Sequence, residues 1–327
     1  MPLEPSLREL GRAIGAAFPS VPSSMMSAEE ARRRARGRTE LANAGPATAP
    51  PGERVVVRWR DHSLAFLVTH APGNGQRFVL FLHSGGWVAG SAESCARACA
   101  AISRSLDATV LALDYPLAPE YPYPAALDAT CAALEWMSSD EFIRPGTGRQ
   151  IVIAGESAGG NLAASALLRQ RDEGAQARVC AGMLLVPVLD HDFTRVSYAQ
   201  FDRGDIDGRS GMHWYSAQYL GDRCAELSSC PYVWPLRARS LAGLPPIVLV
   251  QAQYDPMCDE QDEFSSRVLA EGGTLELLRY EGVGHSFFGL DHLSPTARQA
   301  QSEVCEVVGR FLMPAAFTSG GEADESE

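Results

Sequence analysis

One segment near the middle of the chain limits what this sequence can fold into. An apolar run, Ile151 to Ala154, reads as a buried strand and stops at Gly155-Glu156-Ser157-Ala158-Gly159, after which a helical pattern begins at Asn161. Glycines on either side of Ser157 remove the Cβ atoms that would clash in so tight a turn. The segment predicts an α/β fold with a sharp elbow that exposes the Ser157 hydroxyl as a nucleophile. The five-residue pattern by itself also fits an ordinary strand-to-helix turn.

The downstream sequence offers partners for such a serine in the order acid, then histidine. A buried strand predicted at 245–252 leads to Asp255, which places a carboxylate at the carboxyl edge of the sheet. A further strand, predicted at 274–280, is followed by a glycine-flanked loop that contains His285. We therefore interpret Asp255 as the orienting acid and His285 as the general base.

Three neighbouring residues compete for these roles. Asp259 and Asp262 fall where a helix should begin after Pro256. We therefore interpret them as charged residues in the first turn of that helix, where negative charge is favourable. His292 lies at the approach to the last helix. The histidines elsewhere show no metal-ligand spacing, and neither a metal nor a cofactor is expected.

A glycine-rich segment upstream predicts donors for an oxyanion. The strand predicted at 78–82 runs into His83-Ser84-Gly85-Gly86-Trp87. Glycines let backbone N–H groups approach the negative charge that forms during acyl transfer. Gly85, Gly86 and Ala158 are the predicted donors, although a flexible glycine turn would be credible if this segment stood alone.

These segments together resemble the hormone-sensitive-lipase-like (bacterial family IV) α/β-hydrolases, the carboxylesterase and acetyl-hydrolase group with a His-Gly-Gly-Gly loop. The resemblance covers most of residues 50–312 and includes the block from Asp114 to Glu120. It implies the same triad of Ser157, Asp255 and His285. It also implies a mostly parallel central sheet of about eight strands, with helices on both faces and a helical cap. The much longer cholinesterase-like carboxylesterases share the elbow sequence but use glutamate as the acid.

Two positions depart from the pattern of that family. Ser84 stands where the loop has its first glycine, and Glu156 stands where the residue before the nucleophile is usually aspartate. The matching donors, Gly85 and Gly86, are unaffected. The Ser84 hydroxyl could still join the wall of the pocket and influence the choice of substrate.

The resemblance implies that the chain divides into a core with two cap segments. Residues 1–50 are predicted as N-terminal cap helices and 189–236 as a second cap insertion, between the core segments 51–188 and 237–317. An acidic tail at 318–327 is predicted to be disordered. Aromatic residues of the insertion either line an acyl pocket or join the cap to the core. The candidate substrate contacts are Ser84, Trp87, Trp214, Tyr215 and Phe287.

Composition removes several rival functions. All 28 basic residues are arginine, and the absence of lysine excludes a Walker A phosphate loop and a pyridoxal-phosphate Schiff base. A net charge of -12 argues against nucleic-acid binding. The basic run Arg32 to Arg38 is interpreted as a solvated helix face. Because no signal peptide or membrane span is evident, a cytoplasmic location is expected. The resemblance leaves a homodimer open, since edge-strand dimers occur in that family.

The sequence therefore predicts a serine hydrolase that cleaves carboxylic esters of short to medium acyl chains through an acyl-enzyme intermediate. The first alternative keeps the site but changes the reaction, to that of a biosynthetic deacetylase, an acyltransferase, or an elimination or cyclisation enzyme. The second alternative is a catalytically silent hydrolase fold used for binding.

Overall fold

A central eight-stranded sheet organises the chain. The computed structural model describes residues 1–22, 25–44, 52–73, 76–142, 150–174, 179–201 and 208–312. The strand order is β1-β2-β4-β3-β5-β6-β7-β8, antiparallel for the first two pairings and parallel for the rest. The strands are β1 Glu53–Trp59, β2 His62–Thr69, β3 Arg77–Leu82, β4 Ala108–Leu113, β5 Gln150–Glu156, β6 Val179–Leu185, β7 Ile247–Tyr254 and β8 Leu275–Gly284.

The burial pattern of each strand agrees with its position in the sheet and with the direction of its neighbours. The central strands β3, β5, β6 and β7 carry nearly continuous apolar runs and are buried on both faces, as parallel strands covered by helices are. In β1 only alternate residues are shielded from solvent, the pattern of a strand with one face in water. The predicted sheet of about eight mostly parallel strands is confirmed.

Helices cover both faces of the sheet. One buried cluster joins α3 and α9 to one face, and a second cluster joins α4, α5 and α8 to the other. The remaining helices, α1, α2, α6 and α7, belong to the two segments predicted as cap. The helices are α1 Pro5–Ala17, α2 Ala28–Ala42, α3 Ala96–Leu106, α4 Ala125–Ser138, α5 Ala158–Asp172, α6 Val196–Phe201, α7 Arg209–Leu220, α8 Cys258–Ala270 and α9 Pro295–Phe311.

The topology brings four chain segments to one edge of the sheet. The strands β3, β5, β7 and β8 run parallel, so the loops after their carboxyl ends meet there. None of the helices in the described ranges is long and apolar enough to cross a bilayer. The predicted acidic tail at 318–327, and positions 202–207 of the predicted insertion, lie outside the described residues.

Candidate active site

Ser157 sits in a strained backbone conformation at the turn between β5 and α5. Its φ is 57° and its ψ is −115°, a region that side-chain-bearing residues rarely adopt. A Cβ added to Gly155 would lie 2.2 Å from the Gly159 carbonyl oxygen. A Cβ added to Gly159 would lie 2.0 Å from the Leu82 carbonyl oxygen. The two glycines are therefore what allows the chain to turn this sharply beside β3.

The structure brings Ser157, His285 and Asp255 together, although they are far apart in sequence. The Nε2 atom of His285 lies 2.9 Å from the Ser157 hydroxyl oxygen, and its Nδ1 atom lies 3.0 Å from an Asp255 carboxylate oxygen. Asp255 is fully buried, and its other oxygen accepts a hydrogen bond of 3.0 Å from the Met257 N–H. Both nitrogens of one imidazole thus face hydrogen-bonding oxygens.

The competing residues lie elsewhere in the network. Asp259 accepts from the Ser197 N–H and Asp262 accepts from Gln251, so both carboxylates serve the packing of α8. The Nε2 atom of His292 lies 2.7 Å from the Ala42 carbonyl oxygen, which links the approach to α9 with the end of α2.

The glycine loop, residues 83–87, follows β3 beside the serine. Gly85 has a φ of 126° and Gly86 a φ of 59°, both in the left-handed region that favours glycine. A Cβ on Gly86 would lie 2.3 Å from the Tyr215 ring, so this glycine also makes room for the aromatic side chain from α7. Among the residues that the structure describes, none accepts a hydrogen bond from the N–H of Gly85, Gly86 or Ala158.

A cavity of about 440 Å³ opens above Ser157 and His285. Of the candidate substrate contacts, Ser84, Tyr215 and Phe287 line it. The other two are placed differently. Trp87 is fully buried and stacks on Tyr219 with ring centroids 4.6 Å apart, and Trp214 packs edge-on against Tyr215.

The individual cavity-lining residues of the predicted N-terminal cap were not predicted from the sequence. They form an apolar stripe of α1 consisting of Leu7, Leu10 and Ile14. Their spacing of three and four residues is the signal of an amphipathic helix face, and the pattern alone does not say what that face covers. Part of α2 also lines the cavity, through the small residues Ala31 and Ala35 and through Arg34 and Arg38.

The basic run on α2 is only partly a solvated face, so that part of the prediction was wrong. Arg32 donates to the carbonyl oxygens of Val88 and Ala118 and forms a bidentate ion pair with Glu120. Arg34 is buried and donates to the Glu30 carboxylate. It also donates to the carbonyl oxygens of Phe18 and Pro19, just after α1. Guanidinium groups combine several donors with an apolar stem, so they can anchor a helix while remaining charged.

The buried side chain of His83 packs beneath the backbone of the glycine loop and contacts it through a ring nitrogen. It is 1% exposed, stacks on Tyr115 with ring centroids 4.1 Å apart, and its Nδ1 lies 2.8 Å from the Ser84 carbonyl oxygen. Burial lowers the pKa of His83 to about 4, against the favourable influence of that carbonyl and of the nearby Asp114. The buried imidazole is therefore neutral in the folded protein at neutral pH.

This pKa predicts a loss of stability in acid. The unfolded chain binds a proton on His83 below about pH 6.5 while the folded chain does not until about pH 4, so stability falls as the pH drops through this window. The expected contribution is about 3 kcal/mol between pH 7 and pH 4. Denaturant unfolding of the parent and of His83→Gln at both pH values measures it. An equal pH dependence in the two proteins would contradict the assignment.

The position of this site at the carboxyl edge of a parallel sheet, directly after a strand-to-helix elbow, defines the class of protein as an α/β-hydrolase. Comparison with known proteins agrees. A family model described as alpha/beta hydrolase fold matches residues 79–289. The carboxylic ester hydrolase LipN of Mycobacterium tuberculosis is 32% identical over 280 residues, which cover 81% of this chain and 73% of LipN. An arylesterase of Saccharolobus solfataricus is 31% identical over 83% of this chain and 86% of its own length.

Comparison with solved structures also identifies esterases with this fold. A hyperthermophilic esterase from the archaeon Pyrobaculum calidifontis superposes with a TM-score of 0.84 at 28% identity, over 95% of this chain and 99% of the other. A thermostable esterase from Pseudomonas putida superposes with a TM-score of 0.85 at 27% identity, over 95% and 98%. The chain belongs to the α/β-hydrolase family, in its hormone-sensitive-lipase-like group of carboxylic ester hydrolases, and it is an esterase-like hydrolase.

Proposed function

We propose that this chain hydrolyses carboxylic esters by two-step acyl transfer, with Ser157 as the nucleophile, His285 as the general base and Asp255 as the orienting acid. The observation that carries the proposal is the pair of short contacts on one imidazole, 2.9 Å to the serine oxygen and 3.0 Å to the buried carboxylate. A carboxylate on Nδ1 favours the tautomer in which Nε2 accepts the serine proton.

The steps follow from these contacts. His285 removes the hydroxyl proton as the Ser157 oxygen attacks the ester carbonyl, and the N–H groups of Gly85, Gly86 and Ala158 hold the negative oxygen that forms. When the tetrahedral intermediate collapses, the imidazolium gives its proton to the leaving alcohol. A water molecule, deprotonated by the same imidazole, then attacks the acyl-enzyme and releases the acid. Asp255 stabilises the imidazolium in both steps.

The cavity supports a preference for short to medium acyl chains. Its volume of about 440 Å³ lies in the lower part of the range of small-molecule sites and has to hold both the acyl and the alcohol portion. The wall formed by Leu7, Leu10 and Ile14 is apolar, and so is the side chain of Phe287. Each added methylene is expected to gain about 0.8 kcal/mol until the space is full.

A series of p-nitrophenyl esters from acetate to decanoate tests this function. We expect kcat/KM to rise from acetate to about hexanoate and then to level off or fall, because longer chains exceed the apolar space. A continued rise through decanoate would contradict the proposed chain length. If no ester in the series were hydrolysed, the proposal of ester hydrolysis would fail, and the silent hydrolase fold would be the better interpretation.

A further inference from the structure

Gln261 joins two segments that meet at the proposed active site. It lies in the first turn of α8, and its side chain is completely buried. Its Nε2 atom lies 3.5 Å from Oδ2 of Asp255, the same carboxylate oxygen that faces Nδ1 of His285. The same nitrogen lies 3.2 Å from the carbonyl oxygen of Pro187, which follows β6. One amide nitrogen therefore contacts both the candidate acid and the segment after β6.

The segment after β6 is in turn hydrogen-bonded to the backbone of the nucleophile. The Ser157 N–H donates to the carbonyl oxygen of Leu185 at 2.9 Å, and the Ser157 carbonyl oxygen accepts from the Val188 N–H at 3.3 Å. Pro187 lies between these two partners in the chain. Gln261 therefore links the candidate acid to the turn that presents the Ser157 hydroxyl.

The orientation of the Gln261 amide follows from its partners. A carboxylate and a carbonyl oxygen can only accept hydrogen bonds, so the group that faces them must be the NH₂ end, which has two donors. The Oε1 atom is buried, and no residue in the described part of the chain donates to it. A buried amide oxygen in such surroundings is unfavourable. The contacts that account for the position of this amide are therefore those of its nitrogen.

We propose that Gln261 is a positioning residue: its amide nitrogen holds the Asp255 carboxylate against the His285 imidazole and ties it to the backbone of the nucleophile. The inference rests on the proposed function, because the position of Asp255 matters for turnover only if His285 acts as the base. The other carboxylate oxygen, Oδ1, accepts from the Met257 N–H at 3.0 Å. With Gln261 on Oδ2, each oxygen has a donor in addition to the imidazole, so rotation of the carboxylate away from His285 is opposed.

The geometry sets the size and the direction of the expected effect. At 3.5 Å the contact with the carboxylate is longer than a usual hydrogen bond of about 2.9 Å, so its loss should slow turnover and not abolish it. A carboxylate that loses a donor attracts a neighbouring cation more strongly, which favours the protonated form of His285. A purely structural role would lower stability without this effect. The other titratable groups near Asp255, all of which stay in place in the variants below, are Glu156, Tyr198, Cys258 and Glu260.

The test compares the parent with Gln261→Met, which keeps the length of the side chain but removes its donors. We would measure kcat and KM for p-nitrophenyl butyrate from pH 5 to pH 9, together with unfolding in urea. We expect kcat at pH 8 to fall about three- to ten-fold, with KM unchanged within about two-fold. The acid limb of the kcat profile should move to higher pH. A parental kcat, or a lowered kcat with the acid limb in its parental position, would overturn the proposal.

Gln170→Met is the matched control. Gln170 is also buried, but it lies in the last turn of α5, at the opposite end of that helix from Ser157. The substitution makes the same chemical change away from Asp255, so we expect its kcat and its pH profile to equal those of the parent. An equal shift of the acid limb in both variants would also overturn the proposal, because the shift would then not arise at the acid.

A second substitution covers the case in which Gln261→Met fails to fold. Gln261→Glu keeps the shape of the side chain and places a carboxyl group beside Asp255. Two adjacent buried carboxyl groups resist being ionised together, so the introduced group should donate to Asp255 only while it is protonated. We expect kcat to fall as the pH rises past the pKa of the introduced group, a loss that the parent does not show. A profile without this loss would contradict the role of Gln261.

Failure of this inference and failure of the proposed function give different results. Turnover by Ser157→Ala at the parental rate would refute the proposed function itself. An inactive Ser157→Ala protein together with a Gln261→Met protein of parental kcat and pH profile would refute only the role of Gln261.

Discussion

Replacing Ser157 by alanine is expected to lower kcat for p-nitrophenyl butyrate by about 10⁴ to 10⁶ while leaving the fold intact. The loss is large because, in the proposed mechanism, the hydroxyl oxygen forms the covalent bond on which both acyl-transfer steps depend. The backbone should tolerate the change, since alanine keeps the Cβ atom and the Ser157 N–H can still donate to the Leu185 carbonyl oxygen at 2.9 Å. Steady-state kinetics and a thermal unfolding curve of the same preparation measure the two effects.

Ser165 provides a matched control for this substitution. It lies on α5, two turns beyond the elbow, and it is also buried. Ser165→Ala should keep the parental kcat and should react with a fluorophosphonate probe at the parental rate, whereas Ser157→Ala should not be labelled. Equal turnover in Ser157→Ala and the parent would show that another residue is the nucleophile.

Replacing Gly159 by alanine should be among the most destabilising single changes in the chain. The added methyl group would lie 2.0 Å from the Leu82 carbonyl oxygen, 2.5 Å from the Leu82 carbonyl carbon and 2.6 Å from the His83 carbonyl oxygen. All three are backbone atoms, so relief requires α5 to move away from β3 or the glycine loop to shift. We expect a loss of about 3 to 5 kcal/mol in the free energy of unfolding, measured in urea.

Gly15 is the control for a methyl group added to a helix. It lies on the exposed side of α1, and a Cβ there meets no atom within 4 Å. Gly15→Ala should therefore be neutral or raise the free energy of unfolding by up to about 1 kcal/mol, since alanine favours helix more than glycine does. A Gly159→Ala protein as stable as the parent would show that the contact between the elbow and β3 is looser than described.

The features that sequence analysis predicted correctly are those with a local signal. The apolar runs of β3, β5, β7 and β8 could be read directly, and so could the glycine-flanked turn after β5. The shared location of the candidate acid and the candidate base could be inferred because each comes directly after a strand and parallel strands place their carboxyl ends together; their catalytic roles stay a prediction. The choice of His285 over His292 rested on this argument, and only the former lies beside Ser157.

The features that sequence analysis missed depend on contacts between distant segments. The strand order places β4 between β2 and β3, and no local pattern specifies that order. Leu82 pairs with Gly155 in the register of β3 against β5, so Ser84 and Glu156, which look unrelated in sequence, line the same cavity. Arg32 was read as solvated because its partners, such as the Val88 carbonyl, lie more than fifty positions away.

Arg32 links α2, which forms part of the cavity wall, to the backbone beside the glycine loop. One guanidinium holds the carbonyl oxygen of Val88, two residues beyond Gly86, and the same α2 forms part of the cavity wall through Ala31 and Ala35. A bulky ligand that displaces this helix would therefore also displace the backbone next to Gly86, one of the proposed oxyanion donors. Esters that are too large for the cavity should consequently turn over slowly after they have bound, in addition to binding less readily.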